Sequence, residues 1–174
     1  RSATKQKDPL TKPGLVGAFC RTYSIHEAID KFLPETYLPC DDSKDRFTYA
    51  LGSTAAGVVA YEDKFSYSYH ATDPTSNQLV NAWDLVRIHL FGGLDTDRKS
   101  DTPTTKLPSY KAMSELAMDD EAVRVAVVND KMESVASDFD ELGDDDPDGW
   151  KKNLELSEKG GVRSSIGNIR LILE

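Results

Sequence analysis

The 174-residue sequence predicts an α+β fold: a small antiparallel sheet of about three strands flanked by helices, followed by a small helical subdomain. Three observations predict it. Residues Phe65–His70 (FSYSYH) alternate aromatic and polar side chains, the period of a strand with one buried face. Ser24, with Glu27 three residues on, forms a capping box that opens a helix to about Leu33. Asn81–Phe91 places Ala82, Leu85, Val86 and Leu90 on one helical face and stops at Gly92-Gly93.

The remaining elements follow in order. Pro34 and Pro39 bracket a turn after the first helix, and Arg46–Leu51 (RFTYAL) and Gly57–Tyr61 (GVVAY) read as strands. Glu62-Asp63-Lys64 is a polar connection suited to a hairpin, and Thr72–Asn77 (TDPTSN) is turn chemistry. Phe65, Tyr67 and Tyr69 are expected on the buried face of this sheet; were they exposed, nucleobases could stack on them and on Tyr61. A polar seam, Asp95–Thr105, separates a module at 12–95 from the helical part, with 1–11 and 96–108 read as linkers. In 109–174, Ser109 is expected to cap a helix to about Met118. Asp119 or Asp120 starts another to about Leu142, closed by Gly143. Gly149-Trp150 opens a shorter amphipathic piece, Gly160-Gly161 breaks it, and a last helix begins near Ser164 or Ser165.

Apolar residues at 39% supply a core and argue against a wholly disordered chain. The net charge of −9 opposes attraction to nucleic acid or anionic membrane by the chain as a whole, but it is unevenly spread. Residues 1–100 carry 12 basic and 13 acidic side chains, whereas 101–174 carry 9 and 17. The first part is therefore nearly neutral and the second acidic. No apolar run reaches the roughly 18–20 residues of a membrane span and no signal-peptide core opens the chain, so a soluble, cytoplasmic protein without a membrane partner is expected. The chain opens at Arg1 without an initiator Met. It ends at Glu174 inside the periodic run Ile166, Ile169, Leu171, Ile172, Leu173, so a piece of a longer protein is expected.

Candidate chemistry is sparse. Cys20, Cys40, His26, His70 and His89 show no CxxC, HxxxH or HxxE spacing, so neither zinc nor a disulfide framework is expected, and His70 reads as a strand-end histidine. Burying Phe65, Tyr67, Tyr69 and Trp83, at roughly 1.5–3 kcal/mol per large side chain, would hold the sheet without metal. Gly52–Gly57 (GSTAAG) lacks the Gly-Lys-Ser/Thr ending of a phosphate-binding loop, and the acidic cluster Asp144–Asp148 lacks the alternation and closing Glu of a calcium loop. No nucleophile–base pair or carboxylate dyad emerges from spacing, so no enzyme is expected of this segment itself.

The runs KPGLVGAFCRTY (from Lys12), GSTAAGVVAYEDKFSYSYHATDP (from Gly52) and NAWDLVR (from Asn81), with GWKKNLELSEKGG and SSIGNIRLILE in the tail, resemble the virulence-associated protein E family. These are primase–helicase replication proteins of phages, prophages and integrative elements. The likeness covers most of Lys12–Gly92 and returns at Trp150–Glu174. It implies the middle of such a chain: a non-catalytic DNA-binding or bridging module between a primase domain and a helicase domain. ATP and magnesium are then expected for the parent protein, with no cofactor in this segment. A looser likeness to the zinc ribbon of bacterial primases sets FTYALGSTAAG and KFSYSYHATDPTSNQLVNAWDLV where the two ligand turns would be, with His70 near a ligand position and the partner thiolates missing. It implies a zinc-ribbon-like fold that has lost its metal. Single-stranded or primer-template DNA is the expected partner, with Arg46, Lys64, Tyr67, Tyr69, His70 and Arg87 supplying cationic and stacking groups. The alternative is an acidic docking module for the helicase ring or a host replication protein. A third reading has Gly52–Gly57 binding nucleotide phosphate, with Asp84 or Asp73 holding a metal.

Overall fold

The sheet is an up-and-down meander in which every strand pairs with its neighbour in sequence, and all the helices that pack on it share one core. The computed structural model describes residues 6–96 and 101–140, with side chains through 134. Helices α1 (Gly14–Thr22) and α2 (Ile25–Phe32) precede strands β1 (Tyr37–Cys40), β2 (Ser43–Tyr49), β3 (Val58–Tyr61), β4 (Phe65–Ser68) and β5 (Leu79–Asn81). Helices α3 (Ala82–Phe91), α4 (Pro108–Asp119) and α5 (Glu121–Asp140) follow. The class is α+β, as expected, but the sheet has five strands rather than about three. The two extra strands lie at its edges. β1 carries Pro39, which belongs at an edge, and β5 is three residues long and passes directly into α3. Neither leaves a periodic signal.

Small side chains decide which face of the sheet is buried. Phe47 pairs with Val58 and Val58 with Ser68, while Ala60 pairs with Ser66 and Ser66 with Val80. All six are buried, and Phe19, Ile29, Leu33, Trp83 and Val86 from the helices share their core. The alternation of FSYSYH is therefore real, but its faces are inverted. Ser66 and Ser68 point inward at 1% and 0% exposure, Phe65 and Tyr67 are half-buried on the other side, and Tyr69 beyond the strand is 61% exposed. Large rings from the helices occupy the space, so the strand beneath them contributes hydroxymethyl groups.

The capping box at Ser24 and Glu27 forms as expected and opens α2. α3 begins at Ala82 with Asn81 as its N-cap, but its buried face includes Trp83 and Arg87, while the expected core residue Leu90 is 44% exposed. Ser109 does not cap α4; it lies inside the first turn, and Asp95 accepts hydrogen bonds from its backbone N–H (2.9 Å) and its hydroxyl (2.6 Å). Asp120 caps α5 through Val123 N–H, within the range expected from sequence. α1 carries no sequence start signal, since Pro13 at its N-cap makes no side-chain bond.

The expected division at 96–108 is not where the compact units part. One unit spans Arg1–Lys131 and the other Met132–Glu174, and Met113, Ala117 and Val123 join the same core as the sheet. Among the described residues no helix is long and apolar enough to cross a membrane. The acidic cluster at Asp144–Asp148, the pieces expected at Gly149–Gly161 and near Ser164, and the tail motifs lie outside the described residues.

Ser66 supplies a direct check on the inverted face. Its buried Oγ has no hydrogen-bond partner, and an unmet buried hydroxyl costs roughly 1–3 kcal/mol. Ser66→Ala is expected to raise stability by about 1 kcal/mol in urea unfolding, whereas Ser66→Leu should strongly destabilise by overpacking.

Candidate nucleic-acid interface

The outer face of the sheet is built on one tight hairpin. Glu62–Lys64 join the strands; Glu62 and Asp63 at the centre of the turn both adopt the left-handed region (φ 52° and 54°), and Lys64 N–H closes it on the Tyr61 carbonyl at 3.0 Å. Non-glycine residues there are strained, and the start of α2 holds the turn in place. Asp63 Oδ1 accepts from His26 N–H at 3.0 Å and contacts His26 Nδ1 at 2.6 Å, while the Asp63 carbonyl accepts from Ile25 N–H. Burial opposes a charge on His26, but Asp63 and the Lys44 carbonyl outweigh it and hold its pKa above the ordinary value.

This turn sets Tyr61 opposite Phe65, and the register continues Arg46–Val59–Tyr67–Leu79 in one row across four strands. Tyr67 and Tyr69 lie with ring centroids 4.7 Å apart and planes tilted by 60°. Tyr61 is 44% exposed, and the neighbouring Tyr69 hydroxyl raises its pKa. The Tyr67 hydroxyl reaches Asn77 Oδ1 at 3.4 Å, and Arg46 donates to the Ala56 carbonyl at 3.1 Å. The face therefore offers tyrosine rings, one phenylalanine and the Arg46 guanidinium.

A buried polar network fixes the loop that carries Tyr69 and Asn77. Asp73, 3% exposed, accepts from Tyr37 Oη (2.8 Å), Thr75 N–H (2.8 Å) and Thr75 Oγ1 (2.8 Å), and lies 3.3 Å from His89 Nε2. Tyr37 Oη and His89 Nε2 are 2.6 Å apart. Burial alone would raise the Asp73 pKa; contacts with His89, Thr75 and Ser68 overcome it and hold the carboxyl well below the usual range. Burial, with Asp73 beside it, pushes the Tyr37 phenol up. His89, from the second half of α3, turns inward to complete this set.

His70 is the second anchor. Its ring is wedged between the Gly52–Gly57 loop and the loop after β4, with Nδ1 3.2 Å from Thr54 Oγ1 and Nε2 without a partner. A Cβ at Gly52 would stand 2.7 Å from Nδ1, and one at Gly57 would stand 2.5 Å from Nε2, so only glycine admits the ring at both places. In a zinc ribbon the metal would lie between two such turns. The residues do not fit one: the first loop supplies no Cys or His, the imidazole fills the gap, and no three His, Cys, Asp or Glu side chains converge among the described residues. Asp73 and Asp84, considered as metal ligands, are committed to the Tyr37 network and to Arg87 respectively.

Of the six expected contact residues, the structure brings Arg46, Tyr67 and Tyr69 to one face. Lys64 is half-buried and paired with Asp8 at 2.7 Å. His70 and Arg87 are interior, at 4% and 7% exposure, and Arg87 bonds to Asp84 and Ser109. Tyr61, Phe65 and Asn77 belong to the face and lie outside the expected contact set; the pairing of Tyr61 with Phe65 across the three-residue connection Glu62–Lys64 is the available signal.

Asp73 gives this arrangement a pH signature. Its pKa falls on folding, so its contribution is complete above the unfolded value near 3.8 and is lost as pH drops through the lower folded value. Asp73→Asn is expected to lose roughly 3–5 kcal/mol at neutral pH and to flatten the stability profile below pH 4, read by denaturant unfolding across pH. No protein-family model, curated protein or solved structure matches this chain.

Proposed function

We propose that the Arg1–Lys131 unit is a non-catalytic module that binds single-stranded DNA on the outer face of its sheet, within a phage-type primase–helicase acting in mobile-element replication. One observation carries the binding half of this reading: the aromatics of FSYSYH face outward beside Tyr61 and Arg46, while the serines face the core. Bases stack on such rings at roughly 1–3 kcal/mol each, whatever their sequence. The replication context rests on the family resemblance, which also brings the expectation of adjacent primase and helicase domains and of ATP and magnesium in the parent protein. The ribbon-like origin of the sheet is part of the same proposal, supported by the two loops that meet at His70 where a metal would otherwise join them.

A second reading, an acidic protein-docking module, is favoured by α5. Val123 is fully buried on one side of that helix, while Val125 and Val128 are each 53% exposed on another. The two readings separate by experiment. A labelled single-stranded oligonucleotide is expected to bind, with Tyr67→Ala and Tyr69→Ala each weakening it by roughly 5- to 150-fold. Because Arg46 bonds to a carbonyl and Lys44, two residues before it on β2, is exposed on the same side of the strand, log affinity should fall with log salt at a shallow slope of about −1 to −2. Binding and melting temperature should both be unchanged by a chelator. Retained affinity in both tyrosine variants, or no binding at low salt, would overturn the DNA reading. Loss of partner capture in Val128→Asp with DNA binding intact would support docking.

A further inference from the structure

We propose that the hollow at the C-terminal end of α3 is a binding pocket for a nucleobase. The hollow measures about 480 Å³, within the range of small-molecule sites. Three ionisable side chains that are more than nine-tenths buried line it: Arg87 and Asp95, each 9% exposed, and His89, 6% exposed. The core stability of the fold does not account for all their polar atoms.

The donors and acceptors define the ligand. Tyr37 gives its proton to Asp73, so His89 Nε2, 2.6 Å from the same phenol oxygen, must carry a hydrogen. Nδ1 is then the remaining hydrogen-bonding atom of the ring. Arg87 spends its N–H groups on Asp84 and Ser109 through Nε, Nη2 and one hydrogen of Nη1, which leaves two of the five to donate. The Gln78 amide at the rim offers one more donor–acceptor pair.

Charge excludes the commoner alternative. Arg87 is already matched by Asp84 (3.0 Å) and faces Asp95 (3.8 Å), and the carbonyl end of α3 adds negative potential. A phosphate would meet repulsion there. A neutral ring carrying both donors and acceptors would not, and Pro74, Ile88 and the side-chain-free edge at Gly92-Gly93 supply apolar walls for it. The pocket is also one residue from Asn77, which touches Tyr67 on the aromatic face. The base could therefore come from a free nucleoside or from a strand lying on that face.

The test uses the 174-residue chain, labelled with ¹⁵N and titrated with adenosine, guanosine, cytidine and thymidine, and separately with a single-stranded oligonucleotide. At least one nucleoside should shift the Gly92 and Gly93 amides and the His89 ring saturably. Gly93→Phe, which adds a ring to the lining of the hollow at a place where a Cβ meets nothing within 4 Å, should weaken that binding at least tenfold. Gln78→Ala, at an exposed loop position, should weaken it independently. If Gly93→Phe also weakens the oligonucleotide, the base comes from the strand; if it does not, the free nucleoside is the occupant. No shift with any of the four nucleosides, or shifts indifferent to both variants, would overturn the proposal. The sheet-face reading fails on a different signal, the absence of oligonucleotide-induced shifts at Tyr67 and Tyr69.

Discussion

A carboxylate sealed inside the protein, that of Asp73, is the constraint on which the functional surfaces depend. An unpaired ionised group in that environment would be prohibitive, so every element that reaches it must hold its place. Tyr37 comes from β1, His89 from α3, and Thr75 from the loop between β4 and β5. Satisfying one aspartate therefore joins an edge strand, the central helix and the longest connection within the sheet. That connection carries Tyr69 and His70 at its start and Asn77 and Gln78 at its end. The aromatic face, through Tyr69 and Asn77, and the hollow at the end of α3, through Pro74 and Gln78, both draw residues from this anchored loop.

The allocation of large and small side chains across the sheet is the second determinant. Trp83 and Phe19 meet edge-to-face at 5.7 Å and fill the core from the helical side. With that volume supplied by helices, β4 contributes Ser66 and Ser68 inward, and its aromatic residues are free for the other face. A sheet that buried Phe65 and Tyr67 would need small residues on α3 instead. The exposure of tyrosines is thus a consequence of how the core was filled, and not a surface ornament that could be moved without repacking.

Much of the architecture was legible because local rules were obeyed. The capping box at Ser24, the polar turn at Glu62–Lys64 and the turn chemistry of Thr72–Asn77 all act within a few residues, and each forms where the sequence puts it. Edge strands were illegible because β5 is three residues long and β1 carries Pro39. Face assignment failed for a different reason. Period two fixes that residues alternate, but the choice of buried face belongs to Trp83 and Phe19, far away in sequence. His70, His89 and Arg87 illustrate the same limit. Local pattern makes His70 a strand-end residue and Arg87 a contact residue and assigns His89 no role, yet each is drawn inward by partners 16 to 52 residues distant.

Direct covalent mapping tests the central claim, that the outer face of the sheet receives unpaired bases. A short single strand carrying 5-iododeoxyuridine, irradiated on the intact protein and digested for mass spectrometry, reports which side chains touch a base. Cross-links concentrated on Tyr61, Phe65, Tyr67 and Tyr69 are the predicted result, lost when unlabelled single strand competes. Cross-links confined to α4 or α5, or to the Gly52–Gly57 loop with none on β3 or β4, would contradict it.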